Sequence, residues 1–261
     1  MAGIEKHTAN MFCWADLATT DVEGAKKFYS QVLGWNAVDV PAGEGVFYTM
    51  FDKDGKQVCA AYSQDEQKRQ QGIPPFWQCY VAVENVDAMT EKATQAGGEV
   101  VMPPFDVFDY GRMAVIKDTA GAVFALWQAK QHIGAQLWNS PGSICWNELY
   151  TNDLAQSEIF YNTLFGWTTR VVSGAVGEPY TLFNHGEQAA AGMLEIKKEW
   201  GEVPPCWSVY FAVDDLDRAL GRVTSLGGKI DSEIMTAEGE GRFCVVSDPQ
   251  GAYFLLMAMD H

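Results

Sequence analysis

From Trp14 to Thr19 apolar and polar residues alternate with the period of a strand, and the period then changes to that of a helix. Thr20-x-x-Glu23 reads as a capping box, and the spacing predicts a helix from about Asp21 to Leu33 that ends at Gly34. Two strands follow, near Gly45–Phe51 and Gln57–Tyr62, joined by the turn Asp52-Lys53-Asp54-Gly55. The series restarts at Trp77–Val83, with a helix from about Asp87 to Ala96 closed by Gly97-Gly98. Short strands near Glu99–Val101, Arg112–Lys117 and Val123–Gln128 complete it, with Gly121 marking the last hairpin. The coarse order expected of each unit is β-α-β-β-β, of which the first shows two strands after its helix.

The whole pattern then recurs. Cys13-Trp14-Ala15-Asp16-Leu17 returns as Cys145-Trp146-Asn147-Glu148-Leu149, and Asp21 returns as Asp153, 132 residues on. Phe28-Tyr29 with Gly34-Trp35 matches Phe160-Tyr161 with Gly166-Trp167. Pro74-Pro75-Phe76-Trp77, Gly111-Arg112 and Asp118-Thr119-Ala120-Gly121 find Pro204-Pro205-Cys206-Trp207, Gly241-Arg242 and Asp248-Pro249-Gln250-Gly251 at an offset of 130. A drift of two residues is what loop insertions leave behind, so the chain is a tandem duplication. The second half carries helices near Asp153–Leu164 and Leu216–Leu226. The implied fold class is α+β: four βαβββ modules forming two domains with cup-shaped sheets, because one module alone leaves a sheet face open. The expected domains are residues 1–129 and 143–261, with a linker over 130–142 in which Pro141-Gly142 is the clearest breaker.

Composition narrows the partners. A net charge of −16, spread along the chain, repels phosphate backbones, so no nucleic-acid partner is expected and anionic membrane surfaces are disfavoured. No apolar run approaches the ~18 residues of a membrane span. The first residues lack the basic-then-apolar pattern of a secretion signal. The six cysteines include no Cys-x-x-Cys pair and sit in strand-like apolar runs, which points to free buried thiols in a cytoplasmic protein, not to a disulfide framework.

The strand-to-helix Asp21 and Asp153, the Phe-Tyr pairs with their Gly-Trp, Val86-Asp87, Asp214-Asp215-Leu216-Asp217 and the Asp248-Pro249-Gln250-Gly251 turn span nearly the whole chain. On these residues it resembles the vicinal oxygen chelate superfamily, the glyoxalase, bleomycin-resistance and extradiol-dioxygenase group. With Trp14-x-Asp16-Leu17, Trp146-Asn147-Glu148-Leu149 and the linker Lys130-Gln131-His132-Ile133-Gly134, it resembles the two-domain actinobacterial branch often labelled hydroxylases. The resemblance implies two tandem glyoxalase/bleomycin-resistance-type domains that bind a small molecule. It also implies where a divalent ion would be held: on positions Trp14, Gln78 and Ala125 of the first half and Trp146, Ser208 and Leu255 of the second. These are not a ligand set, since an indole nitrogen only donates. The four histidines (His7, His132, His185 and His261) show no pair placed to converge. No metal and no other cofactor is expected.

Residues two apart on a strand share a face. Trp14, Asp16, Gln78, Tyr80 and Trp127 then line the first cup, and Trp146, Glu148, Tyr150, Ser208, Tyr210, Tyr253 and Met257 the second. Each becomes an aromatic box with one carboxylate, suited to a flat ligand, aromatic or carbonyl-bearing. Burial among rings raises a carboxylate's pKa toward that of a useful base, which makes Asp16 and Glu148 candidate catalysts. The competing reading has each acid bound to backbone groups or paired with Arg112 or Arg242. Those arginines are either structural or oxyanion-binding. Gly34-Trp35 and Gly166-Trp167 read as helix caps with core indoles, Gly43-Glu44-Gly45 as a turn, and His185 as a solvated turn residue. Cys13 and Cys145 are expected to face away from the cups.

Two functions remain. One is a metal-independent enzyme acting by general acid–base chemistry in hydrolysis, isomerisation or cofactor-free oxygenation. The other is a non-catalytic protein that sequesters a small molecule, and the acidic surface would attract a cationic one. Nothing in the sequence supports a purely structural role.

Overall fold

The computed structural model describes residues 3–43 and 45–260. Glu44 in the turn read at Gly43–Gly45, the terminal His261, and the outermost positions of both expected domains lie outside that range. The first half runs β1 (Phe12–Thr19), α1 (Val22–Leu33), β2 (Asn36–Gly43), β3 (Val46–Lys53), β4 (Lys56–Ser63), α2 (Glu66–Gln70), β5 (Phe76–Ala82), α3 (Val86–Gln95), β6 (Glu99–Val107), β7 (Gly111–Lys117) and β8 (Val123–Ala129). The second half runs β9 (Ile144–Thr151), α4 (Leu154–Phe165), β10 (Thr168–Ser173), β11 (Pro179–His185), β12 (Gln188–Glu195), β13 (Cys206–Ala212), α5 (Leu216–Ser225), β14 (Lys229–Ile230), β15 (Met235–Ala237), β16 (Gly241–Ser247) and β17 (Tyr253–Met259).

Each half forms one sheet curled into a half-barrel, ordered β2-β3-β4-β1-β5-β8-β7-β6 and β10-β11-β12-β9-β13-β17-β16-β14, with β15 pairing to β16. The first strands of paired modules, β1 with β5 and β9 with β13, join antiparallel at the centre. The fold is thus the pair of tandem cups that the repeat predicts.

Some local readings change. The N-cap of α1 is Asp21, whose carboxylate accepts from the Gly24 amide at 2.9 Å, not Thr20 in a capping box. Asp153 caps α4 in the same way. β2, which the alternation does not reveal, is a sheet edge with few buried positions; Val38 on it is 57% exposed. An edge strand without a covered face carries no clear alternation. β6 continues past Val101 to Val107 through Pro103 and Pro104 because it too is an edge, where a missing amide is tolerated. The glycines read as caps behave as such: Gly34 and Gly166 have φ of 73° and 71°, and Trp35 and Trp167 are buried.

One apolar core runs through both halves, formed where the convex backs and their helices meet. Tyr29 of α1 donates to Asp248 Oδ2 in the second half at 3.0 Å and accepts from Trp77 Nε1 at 3.2 Å. Reciprocally, Tyr161 of α4 donates to Asp118 Oδ2 in the first half at 2.8 Å and accepts from Trp207 Nε1 at 2.8 Å. The Trp35 indole donates to the Gly142 carbonyl and the Trp167 indole to that of Asn10, so each indole also crosses to distant chain. All six cysteines are free thiols; Cys206 alone is only partly buried. Among the described residues no helix is long and apolar enough to cross a membrane.

Candidate functional site

β1 is buried along its whole length because both its faces are covered, by the cup on one side and the common core on the other. Ala15 and Leu17 enter the core, while Trp14 joins Tyr80, Ala60, Ala125 and Trp127 on the cup side. Cys13 lies on the cup side as well, contrary to the alternation. A bulge between Phe12 and Trp14 inserts one residue and brings two neighbours to the same face. The matching bulge on β9 turns Cys145 into the second cup. Burial raises both thiols, Cys145 to about 12, so neither is a thiolate at neutral pH.

In the first cup Asp16 is 3% exposed. Its Oδ2 accepts from the Tyr48 and Tyr80 phenols, each at 2.8 Å, and Trp14 Nε1 donates to the Tyr48 oxygen at 3.1 Å. Asp16 Oδ1 is buried without a hydrogen-bond partner. Desolvation pushes the Asp16 pKa up to about 6, against the opposing pull of the two phenols and of Lys68. Gln78 lies opposite Asp16 across β1 and β5, and Trp127 donates its indole N–H to the His132 carbonyl.

The second cup repeats the indole–phenol–carboxylate chain, with the two phenols divided between the carboxylate oxygens. Glu148, also 3% exposed, accepts from Tyr180 at Oε2 (2.6 Å) and from Tyr210 at Oε1 (2.8 Å), and Trp146 Nε1 donates to the Tyr180 oxygen at 2.9 Å. Both carboxylate oxygens are therefore engaged. Burial raises its pKa, opposed by the Tyr180, Tyr150 and Tyr210 hydroxyls. Tyr150 packs edge-on against Trp200 at 5.7 Å, in the 3-10 turn Lys198–Trp200. Met257, Phe243 and Val245 border the cup, and Ser208 lies opposite Glu148 across β13 and β9. Tyr253, at the outer end of β17, is 59% exposed and outside this cluster.

The arginines are not in the cups. Arg112 makes a two-point pair with Asp87 at the start of α3, Nε to Oδ2 and Nη2 to Oδ1 at 2.8 Å each. Arg242 reaches Asp217 at 3.0 Å. The register puts Met113, not Arg112, across from Trp127, so the arginine side chain falls on the other face. The Arg112 pair is two-pronged and only partly exposed, so Arg112→Gln is expected to lower the melting temperature slightly while leaving the affinity of any cup ligand unchanged, as checked by a melting curve and a binding titration.

Tyr48 and Tyr180 were not among the residues singled out from sequence, yet they hold the carboxylates. They stand 132 apart, the same offset as Trp14/Trp146 and Asp16/Glu148, so the repeat itself carries the signal. His132, read only as a linker residue, packs its ring edge-on against Trp14 at 4.6 Å and near Trp127 at 5.8 Å. It thus enters the first cup.

The superfamily's metal positions do not match these residues. Trp14 and Trp146 spend their indole N–H on phenols, and Ala125 and Leu255 offer no donor atom. Among the described residues no three His, Cys, Asp or Glu side chains are grouped to hold an ion.

Fold and site together define a duplicated βαβββ cup protein with one phenol-held carboxylate in each cup. Comparison gives the family. The sequence profile of the Glyoxalase/Bleomycin resistance protein/Dioxygenase superfamily matches residues 7–126 and 142–256, and the chain belongs to that superfamily. It is 42% identical over 246 residues to "Putative glyoxylase CFP32" of Mycobacterium tuberculosis, covering 94% of this chain and 93% of the relative. It is 35% identical over 256 residues to the anthracycline biosynthesis protein DnrV of Streptomyces peucetius, covering 94% and 92%. Its fold is similar to that of the Mn(II)-bound glyoxalase from Novosphingobium aromaticivorans, with a TM-score of 0.63 at 17% identity over 96% of this chain and 82% of the other. It is also similar to the 2,2',3-trihydroxybiphenyl 1,2-dioxygenase of Sphingomonas wittichii, with a TM-score of 0.64 at 12% identity over 96% and 91%.

Proposed function

We propose that this chain binds a small aromatic or carbonyl-bearing metabolite in its cups and transforms it by metal-independent general acid–base chemistry. Hydrolysis, isomerisation and cofactor-free oxygenation all fit that description. The reading rests on one observation: each cup buries a single carboxylate, ringed by aromatic side chains and bonded to phenols alone. Such a group is bonded to no arginine and is almost wholly buried, so its proton affinity sits nearer to working pH than that of a surface acid. Asp16 is the stronger candidate base. Its Oδ1 has a lone pair to take a proton from carbon or from water and to return it later, while Oδ2 stays anchored by Tyr48 and Tyr80. The name of the Streptomyces peucetius relative ties that protein to anthracycline biosynthesis, and a fused-ring compound would suit aromatic walls.

Non-catalytic sequestration has its own support in the second cup, where both Glu148 oxygens are already occupied. Aromatic and carbonyl compounds incubated with the protein and followed by mass spectrometry separate the two readings. Asp16→Asn is expected to lower kcat/KM about 100-fold or more, with a modest change in affinity. The rate should climb with pH through about 6, where Asp16 ionises, and that limb should vanish in the variant. Binding without any turnover across the panel would favour sequestration. Stability follows the opposite course. The folded-state pKa lies above the unfolded one, so the Asp16 contribution is complete below about pH 4 and is lost as pH rises through 6.

A further inference from the structure

We propose that His132, which the inter-domain segment carries into the first cup, is a ligand-binding residue there. Its Nε2 and Asp16 Oδ1 act as two acceptors for a ring compound bearing hydroxyl or amino groups. The inference rests on the cup being the ligand site and adds to it a residue from outside the repeat.

The segment is fastened on both sides of His132. Its carbonyl accepts from Trp127 Nε1 at 2.9 Å, the Ala135 amide donates to the Cys13 carbonyl at 2.8 Å, and the Gln136 amide donates to the Gln57 carbonyl at 2.7 Å. Gly134 makes the approach possible. At φ 105° it lies in the left-handed region, and a Cβ there would overlap the Cys13 carbonyl. The imidazole is thereby fixed against Trp14 and Trp127.

Its nitrogens are unequal. Nδ1 lies 3.2 Å from the Gln57 side-chain amide; with Oε1 turned toward it, Nδ1 carries the hydrogen and Nε2 presents a lone pair, an assignment the 15N measurement below checks. Desolvation, with a smaller contribution from His7, lowers the His132 pKa to about 4, so the ring is neutral at ordinary pH. Nε2 is buried with no partner, as is Asp16 Oδ1. Both belong to the surroundings of Trp14: the imidazole packs on that indole, and Asp16 connects to its N–H through the Tyr48 oxygen.

Of the seven buried side-chain polar atoms without a protein partner among the described residues, these two stand beside one indole, where the donors of a single ligand would complete both. Four of the neighbouring donors are committed; the Tyr62 hydroxyl, whose ring stacks on that of Tyr48, is not among them. Tyr48 and Tyr80 bond to Asp16 Oδ2, and the Trp14 and Trp127 indoles to Tyr48 and the His132 carbonyl. A matching ligand must therefore bring donors, and a ring flat enough to lie along indole and phenol walls.

The full chain titrated with dihydroxynaphthalene isomers and with their dimethyl ethers tests this directly, by tryptophan fluorescence and calorimetry. At least one diol should bind 10-fold or more tightly than its ether, which keeps the ring and removes the donors. His132→Phe, which keeps an aromatic ring but no nitrogen, should shrink that ratio at least five-fold. In wild-type protein labelled with 15N-histidine, the Nε2 resonance of His132 should move with the diol and stay still with the ether. That measurement decides the matter even if the variant misfolds. Equal binding of every diol and its ether, an unmoved Nε2, or an unchanged ratio in folded His132→Phe would overturn the inference. Should Asp16→Asn abolish turnover while His132→Phe keeps the diol preference, His132 is excluded and the base assignment survives. If His132→Phe loses the preference but Asp16→Asn turns over normally, the base assignment falls instead.

Discussion

Gly192→Ala is expected to destabilise the second domain by about 2 kcal/mol, in the range for forcing a methyl into packed space. Gly192 lies opposite Glu148 across β12 and β9, and a Cβ there would overlap the Tyr180 phenol oxygen. Displacing Tyr180 removes the bond to Glu148 Oε2 and the acceptor of Trp146 Nε1 together. In the first half the equivalent pair is Ala60 opposite Asp16. Relative to Asp16, Glu148 is longer by one methylene, and Gly192 is shorter than Ala60 by one methyl. The two cups thus hold the same hydrogen-bonded chain with the carbon moved from one strand to its neighbour. The double variant Glu148→Asp/Gly192→Ala should accordingly recover about 1–2 kcal/mol over the sum of the single changes. Urea unfolding of the four proteins measures the coupling, and strict additivity would show that the exchange is not compensatory.

Tyr161→Phe should cost about 2–4 kcal/mol, because one hydroxyl serves two buried groups and both lose a partner. The Trp207 indole N–H loses its acceptor, and Asp118 Oδ2 loses its only donor across the halves. Asp118 Oδ1 keeps the amides of Ala120, Gly121 and Ala122, so the turn survives and the loss falls on the contact between domains. Desolvation raises the Asp118 pKa, and the Tyr161 hydrogen bond opposes that rise, so its removal should raise it further. Combined with Tyr29→Phe, the change should pull apart the unfolding of the two halves, seen as non-coincident near- and far-ultraviolet circular dichroism transitions. A single transition with less than ~1 kcal/mol lost would refute the role given to these tyrosines.

The duplication, the four modules and the facing of Trp14 with Asp16 and of Trp146 with Glu148 were legible because one residue pattern is written twice, 132 apart. The same comparison holds Tyr48 and Tyr180, which alternation alone passes over because β3 and β11 are only partly buried. Other features had no sequence signature. Which face Arg112 occupies depends on its register with Gln128, and which face Cys13 occupies depends on a bulge; neither is a property of the local pattern. Tyr253 has the right phase but stands at the start of β17, before the residues that border the cup. His132 belongs to no periodic element, so only its three-dimensional course brings it beside Trp14.

The crossed tyrosines have a geometric meaning. Tyr29 seeks Asp248 and Tyr161 seeks Asp118, so each half offers the other the same hydroxyl and the same carboxylate. That exchange is the mark of an isologous, two-fold contact. Covalent tethering makes such an association intramolecular, independent of dilution. Cutting the tether would yield two pieces with matching sticky backs, whose reunion would depend on how concentrated they were.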